Sequence, residues 1–225
     1  MISDNLEKVC EDIRALENAH QRTPGDVTLL AVSKKKPVEA IQQAIRAGQT
    51  SFGENYAEEG VEKILAIGNT AFEMHFIGHI QSNKTRLIAA HYDWVQSVER
   101  VKILERLSQH RPDHLPPLNI CLQVNVDGEQ SKSGCQPNQL ADLAALAEQQ
   151  PNITLRGIMA IPAPQTDPVA QRAVFRKLAE LFRSLQSRHE QMDTLSMGMS
   201  GDMEAAIAEG ATMVRIGTAI FGSRD

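Results

Sequence analysis

Eight short apolar runs alternate with helical patterns along this chain, and that alternation limits the fold more than any other feature. The strand-like runs fall at residues 28–33, 50–53, 73–78, 93–98, 118–127, 155–161, 194–199 and 213–217. Helical periodicity fits the segments between them, at 38–47, 56–66, 84–90, 100–109, 137–149, 168–188 and 202–209. Strict alternation requires a parallel sheet, because parallel neighbours need a crossover connection. Eight strands is the number that closes a barrel. Leu6, Val9, Ile13 and Leu16 recur at helical spacing ahead of the first strand, which predicts a further helix running to about Ala19. The expected fold is α/β, a single (β/α)8 TIM barrel with an extra N-terminal helix.

The length of 225 residues suits one such barrel, which takes about 250. No linker rich in glycine, proline or serine divides the chain; Pro116-Pro117 and Pro162-Ala163-Pro164 read as loops bordering strands five and six. The chain ends just after the eighth strand, so residues 1–225 are expected to form one domain. A net charge of −5 argues against a nucleic-acid partner, which favours a basic stripe. No apolar run is long enough for a signal peptide or a membrane span, so a cytoplasmic protein without a membrane partner is expected. Cys10, Cys121 and Cys135 are odd in number and lie outside any CxxC motif, which reads as reduced thiols.

Barrels carry their active sites at the C-terminal ends of the strands. The first strand runs into Ser33-Lys34-Lys35-Lys36-Pro37. Leu30, Val32, Lys34 and Lys36 share one face by strand parity, and Lys35 falls on the other. With Lys34 facing the mouth, Lys35 points to solvent. Lys36 shares the parity but precedes Pro37, where the strand is already turning. Lys34 is therefore the better nucleophile, set against the plainer reading of three surface lysines. A lysine needs partial burial or a neighbouring cation to react at neutral pH. Lys36 and Lys132 are the candidates for that cation, and they would equally draw in an anion.

Phosphate sites in barrels commonly use the loops after strands seven and eight with the start of a short helix. Here Met199-Ser200-Gly201 follows strand seven and opens a helix-forming run, while Gly217-Thr218 closes strand eight. Ser200 offers a hydroxyl, Gly201 a backbone N–H, and Gly217 a backbone that an oxyanion can approach. The alternative makes Ser200 a helix cap and Gly217 a turn glycine. Arg215 shares parity with Gly217 and faces the mouth, either toward a pyridine nitrogen or in a structural ion pair. Asn55 lies just beyond strand two, placed for a ligand's ring oxygen or imine, or for a helix cap. In strand five, Cys121, Gln123, Asn125 and Asp127 face the interior, and Ile120, Leu122, Val124 and Val126 face the helices. His75 and His79 lie on a strand and loop, where four-residue spacing does not bring two rings to one metal. An amine and a phosphate cradle at one mouth point to a phosphorylated aldehyde held as a Schiff base, the chemistry of pyridoxal phosphate (PLP).

Several motifs resemble the pyridoxal phosphate homeostasis proteins, whose single barrel is similar to the N-terminal domain of alanine racemase. They are Ala31-Val32-Ser33-Lys34-Lys35-Lys36-Pro37, Phe52-Gly53-Glu54-Asn55-Tyr56, His75-Phe76-Ile77-Gly78-His79-Ile80-Gln81-Ser82-Asn83-Lys84, Ser131-Lys132-Ser133-Gly134, Arg156-Gly157-Ile158-Met159-Ala160-Ile161-Pro162, and the stretch 196–222. The resemblance implies a Schiff base on Lys34, phosphate contacts at Ser200, Gly217 and Thr218, and Arg215 at the pyridine nitrogen. Lys35 stands where relatives often carry threonine, and Gly201 at a position that varies. The resemblance further implies a carrier or regulator without catalytic residues that balances PLP and other B6 vitamers, with apo PLP-dependent enzymes as receiving partners. A barrel lacking a partner domain is expected to be monomeric. A competing reading is an amino-acid racemase, which needs a second acid/base across the cofactor; the chain's tyrosines are Tyr56 and Tyr92. A third is a Schiff-base aldolase or phosphosugar enzyme.

Overall fold

The computed structural model describes residues 1–68, 72–128 and 133–223. Eight parallel strands close into a barrel in chain order. They are β1 (Thr28–Val32), β2 (Ser51–Glu54), β3 (Glu73–Phe76), β4 (Trp94–Val98), β5 (Leu118–Gln123), β6 (Ile153–Met159), β7 (Thr194–Ser196) and β8 (Met213–Ile216). Closure is made where β1 pairs with β8, Thr28 opposite Met213 through Ala31 opposite Ile216. The helices are α1 (Ile2–Ala19), α2 (Val38–Arg46), α3 (Ala57–Ile67), α4 (Thr85–His91), α5 (Val101–His110), α6 (Leu140–Glu148), α7 (Pro168–Gln186), α8 (Met203–Ala208) and α9 (Thr218–Phe221).

The sequence pattern explains the layering. Along most strands residues of one parity join the helices in a continuous apolar core, among them Ile120, Leu122 and Val124 of β5 and its continuation. β4 and β6 change parity at a register shift, so that Val95 and Val98, and Leu155 and Ile158, all belong to it. The other parity lines the barrel interior, where Trp94, Cys121 and Met159 form a separate small cluster. His75, Gln96, Ser196 and Arg215 are buried in that same interior. Asp167 caps α7 by accepting from the Val169 and Ala170 N–H groups, with Pro168 in the first turn. The three cysteines are free thiols, and burial pushes the Cys135 thiol up to about 11. Among the described residues no helix is long and apolar enough to cross a membrane.

Several boundaries depart from the sequence pattern. Strand five stops at Gln123 because the backbone of residues 123–125 pairs with Cys135 in the following loop. Strand six begins at Ile153 and ends at Met159, two residues earlier than periodicity suggests. Strand seven ends at Ser196, and the first turn of the sixth helical segment is a separate 3-10 turn, Pro137–Gln139. The chain also continues past strand eight into α9, which the Asn5 side chain ties to α1 by donating to the Ile220 carbonyl at 3.0 Å. Four residues carry too little periodicity to announce a helix.

Candidate cofactor site at the barrel mouth

A cavity of about 300 Å³ opens where the ends of β1, β2, β7 and β8 converge. Lys34, Asn55, Ser200, Gly201, Arg215, Gly217 and Thr218 all line it. Its volume lies at the lower edge of the usual range for small-molecule sites.

Lys34 sits in a turn that is held from beneath. After β1 ends, the Lys36 N–H donates to the Ser33 carbonyl at 3.1 Å, with Lys34 and Lys35 between them. Lys35 has φ 60°, a left-handed conformation that few side chains adopt, so other contacts must hold it there. Those contacts come from a buried ionic cluster. Lys63 of α3 donates to the Ser33 carbonyl at 2.9 Å, to Glu54 Oε1 at 2.7 Å and to Glu59 Oε1 at 2.6 Å. The Ser33 hydroxyl donates to Glu54 Oε1 at 2.7 Å, and the Lys35 N–H donates to Glu59 Oε1 at 2.5 Å. Residues on both sides of Lys34 are therefore anchored to one cluster. Burial pushes the Glu54 carboxyl above its ordinary range, with the Lys63 ammonium opposing.

Lys34 and Lys35 diverge as expected, but in the turn after β1, where the left-handed backbone of Lys35 and not strand alternation sets them apart. Lys34 is half-buried at the cavity, while Lys35 is exposed with its ammonium 5.9 Å from the Tyr56 ring. Lys36 also lines the cavity, but its ammonium donates to the Ser223 carbonyl at 2.7 Å and so holds the C-terminal segment at the rim. Lys132 lies outside the described residues.

On the opposite side, Ser200 and Gly201 occupy the turn between β7 and α8. The Met199 N–H donates to Asp202 Oδ1 at 2.6 Å, and Asp202, not Ser200, holds the N-cap position of α8, without a side-chain capping bond to the helix. Gly217 passes close to the end of β1: a Cβ there would lie 3.1 Å from the Val32 carbonyl oxygen. That approach brings the close of strand eight beside the Lys34 turn. At Gly201 a side chain would meet open space, so nothing in the packing demands glycine.

The alanine racemase N-terminal domain family model matches residues 5–225. A protein of Escherichia coli K12 called pyridoxal phosphate homeostasis protein is 53% identical over 227 residues, covering 100% of this chain and 97% of that protein. The Pseudomonas aeruginosa protein of the same name is 55% identical over 224 residues, covering 100% and 96%. The chain belongs to the pyridoxal phosphate homeostasis protein family. PipY of Synechococcus elongatus, solved with PLP bound, matches with a TM-score of 0.82 at 33% identity, covering 99% of this chain and 100% of PipY.

In this member of the family, Arg215 is buried, and among the described residues it joins no ion pair of the kind the sequence left open. It donates to Ser196 Oγ at 2.9 Å and to the Ala160 carbonyl at 2.8 Å. Burial lowers its pKa to about 10, with Asp202 opposing, so it stays cationic at neutral pH. Asn55 lines the cavity, and its buried Oδ1 has no hydrogen-bond partner among the described residues, as expected of a group awaiting a ligand donor. Gly78 makes room for Asn55, because a Cβ at residue 78 would collide with the Asn55 carbonyl.

His75 and His79 do not meet: His75 is fully buried in the barrel, while the His79 side chain is 58% exposed. Among the described residues no group of three or more potential metal ligands comes together. The sequence reading missed the cluster of Glu54, Glu59 and Lys63. Glu59 and Lys63 stand four apart on α3, a local hint of a pair, but their alliance with Ser33 and Glu54 crosses three elements.

Proposed function

We propose that this chain binds PLP through a Schiff base on Lys34 and holds it reversibly, buffering the cofactor and releasing it to apo-enzymes. The observation that carries this reading is the convergence of Lys34 with Ser200, Gly201, Gly217 and Thr218 on a single cavity. Membership of a family named for PLP homeostasis supports it, as does PipY, a full-length match with PLP bound. The residues present fit the group, since Asn55 Oδ1 awaits a donor and the glycine at 217 permits close approach.

PLP supplies an aldehyde that condenses with an amine, releasing water, and a ring that can delocalise charge from the linked carbon. Lys34 supplies the amine from a turn anchored by Lys63 and its carboxylate partners. The hydroxyls of Ser200 and Thr218 and the backbone at Gly201 and Gly217 take the phosphate. Asn55 faces the ring oxygen or imine. Arg215 meets the ring nitrogen as a cation and so disfavours its protonation, which weakens the ring's capacity to accept charge. Such a site suits retention over turnover. We place the protein in the cytoplasm, acting as a monomer.

Borohydride reduction of the PLP-loaded protein followed by peptide mapping tests the reading. The pyridoxyl label is expected on Lys34, to persist in Lys36→Ala and to vanish in Lys34→Ala. A label mapped to Lys36 overturns the assignment, and failure to retain a reducible, coloured cofactor overturns the function. Rapid deuteration of L-alanine at Cα in heavy water favours a racemase instead.

A further inference from the structure

A run of polar side chains crosses the barrel interior behind Arg215. Arg215 Nη1 donates to Ser196 Oγ at 2.9 Å, and the Ser196 hydroxyl donates to Gln96 Oε1 at 2.6 Å. Gln96 Nε2 then stands 2.9 Å from His75 Nδ1 and 3.1 Å from the Met213 sulfur. These contacts fix one another. With Gln96 Oε1 taken by the serine proton, the amide NH2 faces the imidazole, and an NH2 group only donates. His75 Nδ1 must therefore accept, which leaves the neutral ring's proton on Nε2. Nε2 lies 3.7 Å from Glu73 Oε2, an electrostatic contact longer than a hydrogen bond. Every donor points the same way, from a guanidinium at the mouth toward a carboxylate at the start of β3.

The surroundings keep the imidazole neutral. His75 stacks on Trp94 at 4.9 Å with the rings 12° from parallel, and the Arg156 guanidinium lies 4.7 Å from the Trp94 ring centre. Burial holds the His75 pKa below its ordinary value, while Glu73 and Asp93 pull the other way. Reversing the Gln96 amide would set its NH2 against Ser196, leaving the serine proton without its acceptor and competing with Arg215 for the serine lone pairs.

We propose that Gln96 and His75 are positioning residues for Arg215, fixing through Ser196 which guanidinium N–H groups face the ring nitrogen of bound PLP. The proposal rests on the role of Arg215 given above. Ser196 and the Ala160 carbonyl are uncharged acceptors, so they orient the guanidinium through hydrogen-bond direction alone. The serine hydroxyl can rotate, and the glutamine stops it. The glutamine amide can flip, and the histidine stops that.

Two measurements test this. Nitrogen-15 NMR of the PLP-free protein is expected to find His75 neutral, with a bare Nδ1 and a protonated Nε2. In Gln96→Glu, which keeps the size but lacks the N–H donor, the proton should move to Nδ1. The opposite tautomer in the wild type, or no change in Gln96→Glu, overturns the relay whatever PLP does. The second measurement is the pH dependence of the visible absorption band of PLP-loaded protein. Arg215→Leu, Gln96→Leu and His75→Leu should all acquire a ring-nitrogen titration that the wild type lacks. His75→Asn, whose amide oxygen can still accept from Gln96, should keep the wild-type profile. If Arg215→Leu alone shifts, the positioning role fails and the PLP reading stands; if Arg215→Leu does not shift, the contact between Arg215 and the ring fails too. Should a leucine variant not fold, the tautomer of the wild type and Gln96→Glu decides.

Discussion

Lys63 stands 2.7 Å from Glu54 Oε1 while also donating to the Ser33 carbonyl, so one ammonium on α3 ties the end of β2 to the turn that carries Lys34. Its side chain is 6% exposed and that of Glu54 fully buried, which makes each partner costly to leave alone. Lys63→Met is expected to lower stability by about 3 to 5 kcal/mol, the range for an orphaned buried charge. Adding Glu54→Gln should recover part of that loss. Urea unfolding of the wild type, both single variants and the double variant measures the coupling, and additive losses would show that the pair is independent.

The phosphate rim should be separable from the fold. Ser200 and Thr218 are exposed, so Ser200→Ala and Thr218→Ala are expected to leave the unfolding midpoint in place. Each removes a hydrogen bond to a charged group, worth about 1.5 to 3 kcal/mol, so PLP affinity should fall about ten- to a hundredfold. Spectroscopic titration with PLP reads the change, and unaltered affinity in both variants would place the phosphate elsewhere.

Gly78 should act on the site through the backbone. A Cβ there collides with the backbone carbonyl of Asn55, just beyond the ends of β3 and β2, so the clash is with main chain and not with a side chain that can swing away. Gly78→Ala is expected to cost about 1 to 3 kcal/mol, as overpacking does, and to weaken PLP binding by displacing Asn55. Gly201→Ala, where a side chain meets open space, is the matched comparison and should preserve stability.

His75 predicts a pH dependence with a definite sign. Burial holds its folded pKa below the ordinary histidine value of about 6.5, so the unfolded chain takes up a proton at a pH where the folded chain does not. Its contribution to stability is complete above pH ~6.5 and is lost as pH falls from there toward the folded pKa, at up to about 1.4 kcal/mol per unit. Burial raises the pKa values of Asp93 and Glu54, which act in the opposite sense at lower pH. The difference in unfolding free energy between the wild type and His75→Asn from pH 5 to 7 isolates the histidine. A flat difference would contradict its burial as the neutral form.

What could be read from the chain alone follows from locality. Alternating strand and helix periods pointed to a closed parallel barrel, and strand parity named Lys34 over Lys35, although both stand in the turn after β1, where Lys35 is left-handed. Parity also put Cys121 and Arg215 inside and Ile120 and Leu122 against the helices. These are short-range geometric facts, because a side chain's direction depends on its neighbours along the chain. The strand ends were less legible: Gln123 ends its strand because loop backbone takes over the pairing, which depends on where a distant segment arrives, and Ser196 ends β7 just before the left-handed Gly198.

Only the tertiary structure decided what supports the site. Lys63 could equally have been a solvated lysine on α3, and Gln96, His75 and Ser196 an ordinary polar scatter on three strands. Closing the barrel brings β3, β4, β7 and β8 around one interior, where an unpaired polar group costs free energy and partners must be found across it. Which partners meet depends on register between strands far apart in sequence. The amine, the anion rim and the arginine were thus written locally, whereas the contacts that aim them exist only once the ring is shut.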